Sequence, residues 1–157
     1  MSDAVPFEEK QLDDHSKAFA QALFSVRPSW REFARVEKSS YGDQLILVVT
    51  VDPPESSKAD HPLIIDSDND EITIGFDVYH AHFNWPDLGY GDPFQFIEDV
   101  VEERIAVVSL WAGEKWVLST TLDVTSGEAA LAHVPEGATF KKIRSWNGTY
   151  SGNESLL

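Results

Sequence analysis

Residues 71–92 have the sequence EITIGFDVYHAHFNWPDLGYGD, and the interpretation of the whole chain starts from this stretch. In its first part, the apolar residues Ile72, Ile74, Phe76 and Val78 alternate with Thr73, Gly75, Asp77 and Tyr79. A period of two is typical of a strand with one buried face, so the sequence predicts a strand over residues 71–79 with the first four side chains in the core. His, Trp, Tyr, Phe and Gly residues follow closely, which indicates a loop over residues 80–90.

A helix is predicted directly after this loop. Asp92 is a residue type that caps helix N-termini, and Pro93 is favoured in the first helical turn. Over residues 94–104, apolar side chains recur at helical spacing on one face. The opposite face is strongly acidic and carries Glu98, Asp99, Glu102 and Glu103.

The remaining elements follow from the same two periodicities. A helix is predicted over residues 6–25, and further strands over residues 30–37, 44–51, 63–66, 105–111, 115–124 and 139–146. Residues 127–133 fit a short helix or a loop equally well. The element order is therefore α-β-β-β-β-α-β-β-β, which predicts an α+β fold with two main helices and one mainly antiparallel sheet of about six to seven strands. We expect a single domain over residues 1–157 whose tail, residues 151–157, is frayed.

Charge is the most unusual property of the composition. The chain has 157 residues, 12 Lys and Arg against 27 Asp and Glu, and a formal net charge of −15. Such a charge repels nucleic acids and anionic membranes, and it favours encounter with a basic partner. The alternative is that cytosolic proteins are often acidic without any such partner. The N-terminus lacks a signal-peptide pattern and no apolar run is long enough to span a membrane, so a cytoplasmic location is expected.

Metal, cofactor and catalytic sites have weak support in the sequence. The absence of Cys excludes thiolate metal sites, disulfides and a Cys nucleophile. The acidic run from Asp66 resembles the start of a calcium loop, but Glu71 stands where that loop requires Gly. Asp77, His80 and His82 are the residues that a small metal-assisted or acid–base enzyme would use, and this remains an alternative. No metal, cofactor or catalytic residue is predicted.

The aromatic loop is a candidate recognition surface. Exposed aromatic side chains beside Gly-containing turns are common at protein–protein hot spots, although the same rings could instead fold back over the sheet. The predicted partner-binding residues are Asp77, Tyr79, His80, His82, Phe83, Trp85, Asp87, Tyr90, Glu98 and Glu102.

Three segments resemble a known group of proteins. They are TIGFDVYHAHF at residues 73–83, FIED at residues 96–99 and SWNG at residues 145–148. They lie in residues 64–123 and 143–150, which together are similar to small bacterial proteins grouped with polymorphic-toxin immunity proteins. The resemblance implies a cytosolic protein that binds a cognate toxin domain stoichiometrically and blocks it, and it implies no catalytic residue.

We therefore expect an immunity or inhibitor protein whose acidic, aromatic surface covers a basic cleft of the toxin. The alternatives are the small enzyme described above and a general acidic interaction module, including a homodimer formed through an exposed strand edge.

Overall fold

The computed structural model describes residues 7–89, 91–129 and 134–157. These residues form two α-helices, α1 (Asp14–Val26) and α2 (Pro93–Val101), and ten β-strands in two antiparallel sheets. The predicted α+β class is confirmed. The predicted single sheet of six to seven strands is wrong, because the strands are divided between two sheets.

The first sheet consists of five strands that are neighbours in sequence order: β1 (Ala34–Lys38), β2 (Leu45–Val51), β3 (Leu63–Asp66), β4 (Ile72–Phe76) and β5 (Tyr79–Phe83). β2 pairs antiparallel with both β1 and β3. It is rich in β-branched and aliphatic residues and is buried on both faces, as its sequence LILVVTV predicts.

The second sheet contains β6 (Ile105–Ala112), β7 (Lys115–Asp123), β8 (Glu128–Ala129), β9 (Phe140–Arg144) and β10 (Gly152–Ser155). The strand order is β10-β9-β6-β7, and the two-residue β8 pairs with the end of β7. β6 and β7 form the predicted hairpin, which turns at Gly113 in a left-handed conformation (φ 64°).

Two compact units divide the described chain. The first contains residues 7–51, 63–74, 81–89 and 91–94, and the second contains residues 52–62, 75–80, 95–129 and 134–157. In the core of the first unit, Phe19 and Leu23 of α1 are fully buried together with Leu47 and Val49 of β2. A buried hydrogen bond between the hydroxyls of Ser67 and Ser16 adds a polar contact to this core.

The second unit has its own core. Phe76, Ile97 and Val107 are almost completely buried in it, and the ring of Phe76 lies 5.7 Å from that of Trp146. Ile72, Ile74 and Phe76 are all buried as predicted, whereas Val78, expected on the same face, is only half-buried, because β4 ends at Phe76 and Val78 lies in the turn that follows.

Both helices begin at Asp caps. Asp13 accepts a hydrogen bond from the backbone N–H of Ser16, and Asp92 accepts one from Phe94, as predicted for the second helix. The first helix begins at Asp14, later than the predicted residue 6, because the preceding residues Glu9–Gln11 form a separate 3-10 turn. Among the described residues, no helix is both long enough and apolar enough to cross a membrane.

Three other predictions need correction. Residues 80–83 were expected in a loop, but they belong to β5, because Asp77 adopts a left-handed conformation (φ 54°) and allows the chain to reverse directly after β4. Residues 30–33 were expected in a strand, but they belong to the 3-10 helix Pro28–Phe33, which starts at a proline. The tail was expected to fray, but Gly152–Ser155 form β10 and pair with β9. The ambiguous segment 127–133 lies partly outside the described residues.

Candidate functional site

An acidic depression of about 250 Å³ lies in the first unit. Three separate segments line it: the start of α1, the β1–β2 connection and the β3–β4 connection. The lining residues are Asp13, Asp14, His15, Ser39, Tyr41, Gln44, Asp68, Asn69 and Asp70. These described lining residues include four carboxylates and neither Lys nor Arg, so the depression presents negative charge to an approaching molecule.

Asp68 fixes the geometry between two of these segments. Its carboxylate accepts hydrogen bonds from the hydroxyl of Ser39, from the backbone N–H of Ser40 (3.0 Å) and from that of Asn69 (2.9 Å). Burial raises the pKa of Asp68, but these hydrogen bonds lower it by more, so its pKa lies below the ordinary value. The carboxylate is therefore charged at neutral pH and holds the tip of the β1–β2 hairpin in place.

The side chains of Asp14 and Asp70 are the more exposed acids of the depression. Asp14 lies in the first turn of α1, where the helix dipole favours a negative charge. Asn69 and Asp70 have positive φ values of 58° and 55°, a conformation that Asn and Asp tolerate better than most residues. The left-handed backbone of this turn therefore explains why Asn and Asp occur there.

Tyr41 stands at the rim of the depression with 75% of its surface exposed. Its backbone N–H donates a hydrogen bond to the hydroxyl of Ser39, which in turn donates to Asp68. The hairpin tip is thus held by side-chain hydrogen bonds while the aromatic ring faces solvent. An aromatic ring beside carboxylates suits a cation, because the ring face attracts it as the carboxylates do.

His15 is the imidazole among the residues that line the depression. Its Nε2 is 2.8 Å from the backbone carbonyl oxygen of Trp85, so Nε2 carries the proton that is donated to that oxygen. In the described part of the chain, the buried Nδ1 has no hydrogen-bond partner. The imidazole therefore positions the 85–86 segment against α1.

A neighbouring groove shares Asp68 and lies over the outward face of β1, β2 and β3. Asp66 lines this groove. Its pKa is raised, first by burial and then by the charges of Asp68 and Glu71, against the opposing effects of a hydrogen bond from the Asp68 N–H and the charge of His82. The carboxylates of this face therefore have different pKa values, and Asp66 takes up a proton more readily than an ordinary aspartate.

The ten predicted partner-binding residues are distributed over both units. In the second unit, Asp77 is buried and its carboxylate accepts a hydrogen bond from the backbone N–H of Asp60 (2.8 Å), which is a structural contact. Tyr79 is half-buried with its ring 6.2 Å from that of Phe96, and His80 is exposed on β5. Glu98 is exposed on α2 and lies 3.4 Å from Arg104, whereas Glu102 is exposed in the turn after the helix, which ends at Val101 and not at the predicted residue 104.

In the first unit, the Nδ1 of His82 lies 3.0 Å from both the carboxylate of Glu71 and the hydroxyl of Thr73. Phe83 is buried. Asp87 is exposed, and its carboxylate accepts the backbone N–H of Gly89. Tyr90 lies outside the described residues.

Trp85 packs inside the first unit. Its ring meets the ring of Phe19 edge-on at 5.3 Å and that of Phe94 at 6.2 Å. The side chain is half-buried, so part of its surface remains accessible. The alternative in which the loop rings fold back onto the protein therefore describes Trp85 and Phe83 better than an open hot spot does.

None of the ten residues lines the acidic depression in the part of the chain that the structure describes. In the sequence, Asp13 and Asp14 lie in the predicted first helix, Tyr41 lies between two predicted strands, and the acids of residues 68–70 lie between two others. The local signals were visible. Their convergence depends on the positions of three segments that are far apart in sequence, which no local pattern reveals.

The acidic charge is concentrated in one part of the chain. Residues 105–157 contain four basic and five acidic side chains and so carry a net charge of −1 out of the total of −15. The first 104 residues, which include all the residues that line the acidic depression, carry the remaining −14.

Within the described residues, no group of three or more His, Cys, Asp and Glu side chains is arranged to hold a metal ion. Comparison with protein families, curated proteins and solved structures finds no significant match to the chain.

Proposed function

We propose that the protein is an immunity protein that binds a basic domain of a cognate bacterial toxin and blocks it. The observation that carries this proposal is the acidic depression of the first unit with the exposed Tyr41 at its rim. The resemblance of residues 73–83, 96–99 and 145–148 to immunity proteins supports the same class of function.

The chemistry of the depression suits the side chain of a Lys or Arg from the partner. Asp13, Asp14, Asp68 and Asp70 supply negative charge, and the ring of Tyr41 supplies an aromatic face for the cation. An Arg guanidinium fits this combination best, because it forms directed hydrogen bonds to carboxylates and also stacks on aromatic rings.

Long-range attraction adds to the local fit. The first 104 residues carry a net charge of −14. The electric field around this part of the chain accelerates its encounter with a positively charged protein. Toxin domains that act on nucleic acids or nucleotides need basic clefts for their substrates. An inhibitor that covers such a cleft competes with the substrate by the same electrostatics.

The proposal is tested with the product of the adjacent gene. The two proteins are co-expressed, growth is compared with expression of the neighbour alone, and binding of the purified proteins is measured by calorimetry at low and moderate salt. We expect rescue of growth, a stoichiometric complex and an affinity that falls as salt rises. A neighbour that is harmless alone, or the absence of a complex at low salt, contradicts the proposal.

Two matched double variants locate the binding surface. Asp14→Asn with Asp70→Asn removes two exposed charges of the depression, and Asn is compatible with the left-handed backbone at position 70. Glu98→Gln with Glu102→Gln removes the same charge from the predicted acidic face of α2. We expect the first pair to weaken binding about tenfold to a hundredfold and to slow association. If only the second pair weakens binding, the surface predicted from the sequence is the one that the toxin uses.

A further inference from the structure

A row of aromatic side chains crosses the second sheet where β6 and β7 meet their turn. The strand register places Trp116 of β7 opposite Trp111 of β6, and Trp111 opposite Phe140 of β9. Directly opposed residues of antiparallel strands point to the same face, so the three side chains share one face. The rings of Trp111 and Phe140 are nearly parallel, with their centroids 6.2 Å apart and an interplanar angle of 13°.

The polar groups of this row are already satisfied within the protein. The indole N–H of Trp111 donates to the hydroxyl of Ser109 at 2.8 Å. The ammonium of Lys142 lies 4.3 Å from the centre of the Trp111 ring and 3.6 Å from the carboxylate of Asp60. What the row offers to another molecule is therefore apolar surface.

Trp116 is the most accessible member of the row, with 48% of its surface exposed. The register of β6 and β7 shifts at Leu110 and Trp111, next to this pair. Such irregularities change the direction in which side chains point and are common where a sheet presents residues for a function. Exposed Trp is otherwise unfavourable, whereas Trp is enriched at interface hot spots.

The strands of the second sheet all lie in a part of the chain whose charge is nearly balanced. Residues 105–157 carry a net charge of only −1, against −14 for residues 1–104. At the hairpin turn beside Trp116, the exposed Glu114 and Lys115 are adjacent and opposite in charge. Two copies of this chain repel each other strongly through their acidic surfaces, so the nearly neutral second sheet is the part through which they can meet.

We propose that the row Trp116, Trp111 and Phe140 is the contact through which two copies of the chain associate. A two-fold axis beside Trp116 buries the apolar row of each copy and brings Lys115 of one copy to Glu114 of the other, because a two-fold contact uses the same patch on both subunits. This inference goes beyond the proposed function and uses none of the residues that line the acidic depression.

The test is the concentration dependence of the molar mass of the full chain. Light scattering after size exclusion and sedimentation equilibrium are measured from about 5 to about 500 µM. We expect a rise from the monomer mass of 17.6 kDa towards twice that value. A monomer at every concentration overturns the proposal.

Three variants identify the contact. Trp116→Glu should raise the dissociation constant of the dimer about thirtyfold or more, and Lys115→Glu, which leaves the aromatic row intact, should raise it severalfold. Leu88→Glu is the matched control, since it places the same charge on an exposed apolar side chain of the first unit, and it should add only general repulsion. Circular dichroism and thermal melts verify that each variant is folded. If Trp116→Glu and Lys115→Glu dimerise as well as the wild type, the contact lies elsewhere and the proposal is wrong.

Discussion

Gly148 occupies a position in the second unit where a side chain has no room. Its φ of 83° lies in the left-handed region, and a Cβ added there would be 1.9 Å from the backbone carbonyl oxygen of Ser56. The hydroxyl of Ser56 also donates to the carbonyl of Asn147, which holds the two segments together. We expect Gly148→Ala to lower the free energy of unfolding by about 3 kcal/mol or more, since the strained backbone and the clash add. Urea unfolding measures this loss.

Gly113 provides the control for that substitution. It also has a positive φ, 64°, but nothing lies within 4 Å of a Cβ built on it. Gly113→Ala should therefore cost only about 1 kcal/mol, which is the backbone term alone. Equal losses for the two variants would mean that the contact between Gly148 and Ser56 has no effect on stability.

The residues that carry the resemblance have structural roles in this protein. Asp77 closes the turn after β4 and accepts the backbone N–H of Asp60. Gly148 permits close approach to Ser56, and the buried hydroxyl of Ser57 donates to the carbonyl of Ser145. Such residues determine local geometry, so the resemblance expected from the sequence rests on positions with structural roles and not on a surface for a partner. The surface proposed for a partner involves Asp14 and Tyr41, which lie outside these segments.

At the scale of elements, Glu103 joins the end of α2 to the turn that follows β9. Its carboxylate accepts hydrogen bonds from the hydroxyl of Thr149 (2.6 Å), from the backbone N–H of Thr149 (3.2 Å) and from the side-chain amide of Asn147 (3.3 Å). Glu103→Gln removes the charge and one acceptor oxygen. We expect the free energy of unfolding, measured with urea near neutral pH, to fall by about 1–2 kcal/mol. The fall is small because the carboxylate is partly solvated.

The pH dependence of this loss has a definite sign. Burial raises the pKa of Glu103, but hydrogen bonds from Ser145, Thr149 and Asn147 lower it by more, so its pKa in the folded state lies below that of the unfolded chain. The stabilisation is present above the unfolded pKa and is lost as the pH falls through the folded one. The difference between wild type and variant should therefore shrink towards zero in acid. Glu114→Gln, at an exposed turn, is the control and should change stability by less than about 0.5 kcal/mol at any pH.

The elements differ in how well the sequence predicts them. β2, β3, β6 and β7 were predicted to within about two residues, because their apolar residues or turn signals are strong. β5 was missed, although YHAHF alternates, because its His and aromatic content suggested a loop and the left-handed Asp77 gives no clear sequence signal. The tail strand β10, GNES, has no apolar pattern at all and forms through backbone pairing with β9.

At the scale of the molecule, the fold class and the net charge could be predicted from the sequence. Which distant segments meet in space could not. The alternating and helical periods are local properties, so they predict an α+β chain but not its division between two sheets. The acids at 13–14 and 68–70 are visible in the sequence as separate groups. Their meeting in one depression depends on contacts between distant segments: the backbone N–H of Asp13 donates to the carbonyl of Leu45, and the hydroxyl of Ser67 donates to that of Ser16.

The net charge of −14 in the first 104 residues also affects the stability of the folded chain. Like charges repel more strongly when the chain is compact, and salt screens this repulsion. Exposed ion pairs such as Lys38–Asp43 and Lys10–Glu8 weaken with salt as well, but each contributes little. Raising NaCl from about 20 to about 200 mM should therefore stabilise the protein by about 0.5–1 kcal/mol, a rise in Tm of roughly 2–3 °C.

Thermal melts monitored by circular dichroism measure this shift in Tm. Potassium chloride at the same ionic strength is the control, since screening depends on ionic strength whereas a specific sodium site distinguishes the two cations. Asp14→Asn with Asp70→Asn should reduce the salt-induced rise, because two of the repelling charges are gone. A Tm that falls with added salt would contradict this prediction. It would show that attraction between Lys or Arg and the acidic side chains outweighs the repulsion among the acids.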